Sequence, residues 1–589
     1  MHEQTTEHPA VLRSLAGWRT GAARAAAELI SDMAAHPRGT MSPSVYETAR
    51  LVSGAPWLDG HGARCDFLLA TQRPDGRWGQ PDGYDLVPTL SAVEALLRER
   101  DRPRADGSGP SVPAVARAAL RGLWALADEQ AAGPSAPLRD TIAAELIVPW
   151  LVEEVNGLLE GSGGRLGATA LALPPGVVRE STDRLRGAVA AGQALPEKTW
   201  HTLEVLGERA ADAPGVRLVA SAVGSSPAAT AAWLSGAARL SGAPRLSGTT
   251  RLSGTTRLSD AARFPDAARL PGPAPLSDAT GLSDRPRQEA AVALLREIQA
   301  RWGGPVPGVT SIEVFETAWV LGWLLDAGVP VTVPPALAAS LENSLGPSGA
   351  PAGPGLPADT DDTAVVLHTL ALAGRPAPVH SLWAYEADDH FLCFPAERTP
   401  STSTNAHVLE ALLDPPPPGE QAGEAARRRG AARKVETWLL AQQRPDGSWD
   451  DKWHASAYYA TMCCAVALAR GRHPDAAGAL VRAARWTLAA QRPDGSWGRW
   501  EGTVEETSYA IQTILRAHPG ELPPLVARAV AGGCGFLLDR RGAGDFPPLW
   551  HDKDLYAPVT VVRSARVAAL HAAAARLVPN RPAGSAVAR

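Results

Sequence analysis

Three carboxylates in the stretch "PADTDDTAVVLHTL" (357–370), Asp359, Asp361 and Asp362, stand just before an apolar run with helical spacing. Carboxylates so placed can bind a metal, cap a helix or donate a proton. A metal-binding aspartate motif on a helix brings its carboxylates to one face at i and i+4, or at i, i+1 and i+4. Here the spacing is i, i+2, i+3, and the next candidate positions are Val365 and Val366. A di- or trinuclear metal site is therefore disfavoured. A helix N-terminus is one remaining reading, since Asp caps backbone N–H groups and complements the dipole there. The other is a Brønsted acid, one Asp kept neutral by an apolar pocket and by neighbouring carboxylates that oppose its ionisation. The two readings are in tension. A helix N-terminus favours the anion, so burial and like charge would have to win.

The elements around the motif are helical. Strand alternation is scarce, and runs such as "VARAALRGLWALADEQ", "AARKVETWLLAQQ" and "AGALVRAARWTLAAQ" place apolar residues three and four apart. Pro and Gly punctuate these runs, which predicts many short helices joined by turns. The motif QxxDGxW occurs at 72–78, 443–449 and 491–497. Pro-Asp-Gly is a turn signature, with Pro presetting φ and Gly supplying a positive φ. Its recurrence between helices predicts an α-helical barrel of helix pairs tied at their turns. A second echo, "VYETARLV" (45–52) against "VFETAWVL" (314–321), points to duplication. Residues 234–287 carry a six-residue repeat beginning "LSGAARLSGAPR". Its Gly, Ser, Pro and Arg content buries too little to offset chain entropy, so it reads as a disordered insertion.

At 589 residues two or three domains are expected, and 45% apolar with 20% charged residues is ordinary for a globular protein. A net charge of −5 argues against a general nucleic-acid binder. Five cysteines without a CxxC pattern read as reduced thiols of a cytoplasmic protein. No run is long enough to span a bilayer. Tryptophan is the outlier, 18 against 7 Phe and 7 Tyr. Most would fill space between helices, and a few could line a pocket that meets a positive charge.

These landmarks, taken in order, resemble a known family. "DTDD" followed by "TA", with three QxxDGxW motifs, is similar to the class II terpene cyclases, and within them to the bacterial diterpene cyclases of the copalyl diphosphate synthase type. Further landmarks are "KTWHTLEVLG" (198–207), "GGPVPGVTSIEVFETAW" (303–319), "STSTNAHVLEAL" (401–412), "DDKWHASAYYATMCC" (450–464) and "PLWHDKDLYAP" (548–558). The resemblance runs from about residue 40 to 575, apart from the hexapeptide segment. It implies an all-α fold of two α/α barrels, β and γ, with the active site at their interface. Residues 1–40 would begin the β domain, 41–300 form the γ domain, and 301–589 complete the β domain.

The implied activity is protonation-initiated cyclisation of geranylgeranyl diphosphate to a bicyclic copalyl- or labdane-type diphosphate, with the diphosphate retained. Farnesyl diphosphate cyclised to a drimenyl-type product is the nearest alternative, ahead of a squalene-type triterpene cyclase. There is no DDxxD, so a separate class I terpene synthase is expected to act on the product. Residue by residue, the resemblance makes Asp361 the proton donor, with Asp359 and Asp362 in support and Asn405 orienting it. His201 corresponds to a histidine that helps hold the deprotonating water. Gly308 stands where its usual Asn partner would be, so the base is incomplete. Mg²⁺ is implied with Asp140 and Glu145 as candidate ligands. Lys452 and Lys553 are candidates for diphosphate contact, and Trp319, Trp383 and Trp453 for cation stabilisation.

Overall fold

The computed structural model of the protein describes residues 9–103, 111–132, 138–240, 285–395, 397, 399–540 and 546–578. Among them, six helices close a ring: Glu313–Asp326, Thr360–Leu372, Thr402–Leu413, Ala457–Arg470, Val504–Ala517 and Val559–Leu577. Each packs on the next, and the last packs on the first. Outside this ring lie Pro335–Ser344, Ala422–Ala441, Ala476–Ala489, Pro524–Asp539 and the first helix, Pro9–Ala35, which rests on Val559–Leu577. A second ring joins Val45–Gly54, Leu86–Arg100, Ala144–Gly161, the 3-10 segment Glu197–Asp212 and Pro227–Leu240. The buried apolar residues follow this division. One large cluster draws on Leu15–Met41 and Val309–Ala574, and another on Tyr46–Ala229.

Short polar side chains start the inner helices. Ser44, Asp359, Ser401, Ser456 and Thr503 each accept a backbone N–H from the first turn that follows. Such caps satisfy donors that a helix leaves unpaired at its start. Ser44 with Glu47 and Thr503 with Glu506 follow the capping-box spacing.

The three QxxDGxW motifs do the same job three times. Gln72, Gln443 and Gln491 each donate through Nε2 to the carbonyl of their own turn glycine and to an outer-helix carbonyl, Ala118, Ala479 or Ala529, at 2.8–2.9 Å. The tryptophan indoles donate backwards to Leu68, Leu439 and Thr487. Their backbone N–H groups donate to Thr89, Thr461 and Thr507 on the following inner helix, each at 3.0 Å. Gly447, at φ +99°, is required twice over, because a Cβ there would lie 2.5 Å from the Arg482 carbonyl.

The hexapeptide segment needs a correction at its ends. Pro227–Leu240 is helical through the first repeat, with Leu234 buried, and Arg285–Ala300 is helical from the last copy. An apolar neighbour on Val45–Gly54 gives that first repeat a face to bury. Residues 241–284 lie outside the described residues. No helix among the described residues is long and apolar enough to cross a membrane.

A short hairpin joins the two rings. Trp550–His551 pairs antiparallel with Leu555–Tyr556, and the turn between them carries Asp552, Lys553 and Asp554. Asp554 accepts from the Ser44 hydroxyl at 2.6 Å and from the Tyr46 N–H at 2.9 Å. Lys553 Nζ donates to Glu47 at 2.6 Å, Glu204 at 2.8 Å and the Ser226 hydroxyl at 2.9 Å. The turn is thus a charged plug from the C-terminal ring seated in the N-terminal one.

Candidate active site

Asp359 is the cap of Thr360–Leu372. Its Oδ1 accepts the Asp362 N–H at 2.8 Å. The helix-cap reading therefore holds for Asp359. Burial, then the charge of Asp361, lifts Asp359 to about 7 against the hydrogen bonds that favour its anion. Burial first, and the charge of Asp359 second, pushes Asp362 well above the carboxylate range. Asp362 Oδ1 is buried without a hydrogen-bond partner. Desolvation and like charge thus outweigh the helix dipole at this N-terminus.

Asp361 is the least enclosed of the three, with 15% of its side chain accessible. Its Oδ1 accepts from His407 Nδ1 at 2.7 Å. Burial alone would lower His407, but the charge and hydrogen bond of Asp361 outweigh it and hold the imidazole above its ordinary value. An imidazolium in that position would stabilise a carboxylate at Asp361.

Asn405 is not the residue that orients the acid. Its Oδ1 accepts the Phe391 N–H at 2.8 Å, and its Nδ2 donates to Phe391 O at 2.9 Å and Ser401 O at 2.8 Å. Both its polar atoms bond the loop at Phe391, and Nδ2 also bonds Ser401, the cap of its own helix. Asp451 positions that helix. It is buried, yet hydrogen bonds from Ser401, Trp453 and Ser403 overcome burial and keep it below the usual carboxylate range.

An aromatic wall stands beside the Asp361–His407 pair. Trp319 meets His407 edge-on at 5.4 Å and donates through its indole to the Tyr459 hydroxyl at 3.2 Å. Phe315 packs on Trp319 at 4.4 Å and on Trp550 at 5.3 Å, and Trp550 lies 4.6 Å from Tyr459. Trp383 is not part of it. The Arg427 guanidinium covers its ring at 4.2 Å, so that π-face is taken. Trp453 packs against Phe394, with the Lys452 ammonium 4.9 Å above its ring. Lys452 is ion-paired with Glu397 and donates to Thr399 O at 2.8 Å.

Lys553 corrects the expectation of a diphosphate contact. It is 1% exposed, between two carboxylates that already neutralise it. Burial works against its charge, but Glu204 and Glu47 hold the ammonium above its ordinary value.

His201 meets the same turn. Nδ1 lies 2.8 Å from the Gly224 carbonyl and Nε2 lies 3.0 Å from Asp552 Oδ1. The missing Asn has a physical cause, since a Cβ at Gly308 would overlap Asp552 Oδ2. Asp552 is therefore the partner of His201 in this chain. Tyr556 feels both carboxylate groups: burial first, then the charges of Asp552, Asp362, Glu505 and Asp361, push its hydroxyl up.

Asp140 and Glu145 are exposed, on a segment tied to the hairpin by the Ile142 N–H donating to Asp552 O at 3.0 Å. Their oxygens are the donor type that Mg²⁺ takes. The group of three metal-capable side chains found among the described residues is His61, Cys65 and Glu99. Its nitrogen and sulfur donors do not suit Mg²⁺.

Comparison with known proteins agrees with this arrangement. Residues 399–517, which hold Thr402–Leu413, Ala457–Arg470 and Val504–Ala517 of the ring but not the carboxylates at 359–362, match the squalene-hopene cyclase C-terminal domain. The chain is 44% identical over 551 residues to ent-copalyl diphosphate synthase of Streptomyces sp. strain KO-3988, covering 92% of this chain and 94% of that one. It is 38% identical over 576 residues to labda-7,13-dienyl diphosphate synthase of Streptomyces clavuligerus, covering 95% of each. The solved ent-copalyl diphosphate synthase from Streptomyces platensis superimposes with a TM-score of 0.78 at 42% identity, over 95% of this chain and 99% of that one. The chain belongs to the bacterial class II diterpene cyclases.

Proposed function

We propose that this enzyme cyclises geranylgeranyl diphosphate to a bicyclic copalyl- or labdane-type diphosphate, and that Asp361 starts the reaction by protonating the terminal alkene. The observation that carries this reading is the Asp361–His407 pair beside an aromatic wall. The Asp361 carboxyl is held through Oδ1, so its other oxygen is left to present a proton. The imidazole steadies the resulting carboxylate, and burial with the charge of Asp359 makes Asp362 resist ionisation beside it. Alkene protonation creates a cation in a site lined by Trp319, Phe315, Tyr459 and Trp550, whose π-faces stabilise positive charge by roughly 0.5–2 kcal/mol each. A dry wall also keeps water from quenching the cation early. The relatives named above support the substrate class and the retained diphosphate.

Two clusters of buried residues support a division into β and γ domains, with the Asp552–Asp554 plug between them. Mg²⁺ bound to the diphosphate would offset its charge. Asp140 and Glu145 would hold it, and Lys452 would reach the same group only by leaving Glu397. The enzyme acts in the cytoplasm, and a separate class I synthase that ionises the diphosphate consumes the product. The test incubates purified enzyme and Mg²⁺ with geranylgeranyl diphosphate, farnesyl diphosphate or squalene in parallel. After dephosphorylation, the alcohols are identified by mass spectrometry. A bicyclic C20 alcohol supports the reading; turnover of farnesyl diphosphate or squalene alone overturns it.

A further inference from the structure

The acid must be reloaded after every turnover, and the barrel floor beneath it contains a line of groups that can do this. A cavity of about 30 Å³ is lined by His407, Glu410, His368, Gln512 and Asp326 together with a larger apolar surface of Trp, Val and Met side chains, and Asp361 is not among its lining. That is room for about one or two water molecules. Gln512 faces it with a buried Nε2 that has no hydrogen-bond partner, at 7% exposure. An unpaired amide donor facing the carboxylates and imidazoles of such a cavity is where a water molecule is held.

The line continues outward. Glu410 Oε1 is 3.6 Å from His368 Nε2, and His368 Nδ1 is 2.7 Å from Asp414 Oδ2. Arg470 completes this cluster, donating to Asp414 Oδ1 at 2.5 Å and lying 3.7 Å from Glu410. Asp414 also lines a surface cleft of about 200 Å³, walled by Pro415–Pro418 and bordered by His380 and Glu424. The remaining charge at the cavity, Asp326, is ion-paired with Arg516. His368 can take a proton on one ring nitrogen and release it from the other, and so can His407.

We infer that Glu410 and His368 form a proton relay that reloads Asp361 from solvent, through Asp414 at the cleft and water in the cavity below His407. In each reload a proton enters at the Asp414–His368 end and passes by way of Glu410 and cavity water to His407 Nε2. The His407 Nδ1–H bond breaks as the new O–H bond forms on Asp361. One proton moves from solvent to the carboxylate, and His407 ends with its proton on the other nitrogen until the ring exchanges it. Glu410 and His368 do not touch substrate in this scheme and are positioning residues that act through His407.

This inference rests on the proposed acid, and the experiment separates the two. With Mg²⁺ and geranylgeranyl diphosphate, the parent enzyme, Glu410→Gln and Gln512→Leu are compared with enzyme in excess and with substrate in excess. In this scheme the first turnover uses a proton already on Asp361, and only later turnovers draw on the relay. The variants are therefore expected to complete a first turnover within about threefold of the parent rate and to fall tenfold or more in the steady state, leaving a burst of one product per site. Their steady-state solvent isotope effect should also exceed that of the parent. Equal losses in first and later turnovers, or no loss in either, overturn the relay. A parent enzyme that makes no product overturns the proposed function instead. Gln512→Leu carries no charge change, so it decides the matter if Glu410→Gln fails to fold.

Discussion

Replacing Lys553 by methionine separates a structural lysine from a substrate-binding one. The ammonium is 1% exposed and donates to Glu47, Glu204 and Ser226. Removing it leaves two carboxylates facing each other without a cation. Breaking a buried pair in this way costs about 3–5 kcal/mol. The loss should depend on pH. Glu47 is lifted by burial, and Lys553, the leading opposing charge, with a smaller effect from His201, holds it at about 7. A carboxyl whose folded pKa is raised favours the folded state below its unfolded value, and that benefit is lost as pH rises through the folded value. Without Lys553 the Glu47 value rises further, so the variant should be most destabilised at pH 8 and recover between pH 7 and 5. The assay is urea unfolding of parent and variant at pH 5.5 and 8, followed by fluorescence of the 18 tryptophans. Unchanged stability with a raised KM for the prenyl diphosphate would refute the reasoning and return Lys553 to the substrate.

Other consequences follow from single contacts. His407→Ala should leave the fold intact and lower kcat by roughly 10²-fold or more, the range of a lost proton-transfer partner; circular dichroism and product yield check both parts. Gly308→Asn should displace Asp552 from His201 and lower activity, and the double variant Gly308→Asn with Asp552→Ala should regain part of it, as measured by product formation. Gly447→Ala places a Cβ at positive φ against the Arg482 carbonyl and should destabilise the chain by more than about 1 kcal/mol. The same experiment on Gly430, an outer-helix glycine whose Cβ would meet nothing within 4 Å, should not.

Much of this architecture was legible because it is written in local pattern. The QxxDGxW turns carry their own geometry in seven residues, and the structure uses Gln and Trp as the ties that their repetition implied. Asp359, Asp361 and Asp362 stood out by spacing alone. Asn405 and His407 show where pattern stops. They are two residues apart on one helix, about 200° around its axis, so only one can face Asp361. Which one does so depends on the loop at Phe391, to which Asn405 is bonded. Lys553 was hidden for a different reason. A lysine in a polar turn reads as exposed, and its two carboxylate partners are 506 and 349 residues away in sequence. The partnership of His201 with Asp552 spans 351 residues, and the overlap that excludes a side chain at Gly308 exists only once the hairpin is seated.

The central claim is that Asp361 delivers a solvent-derived proton to an alkene. Running the reaction in D₂O with geranylgeranyl diphosphate, and reading the product by mass spectrometry and NMR, tests it most directly. The account predicts one deuterium per product molecule, at the ring carbon that was the less substituted end of the terminal alkene, and no cyclised product from Asp361→Asn that is folded as the parent is. Product without deuterium from parent enzyme equilibrated in D₂O, or cyclisation by Asp361→Asn, would contradict it.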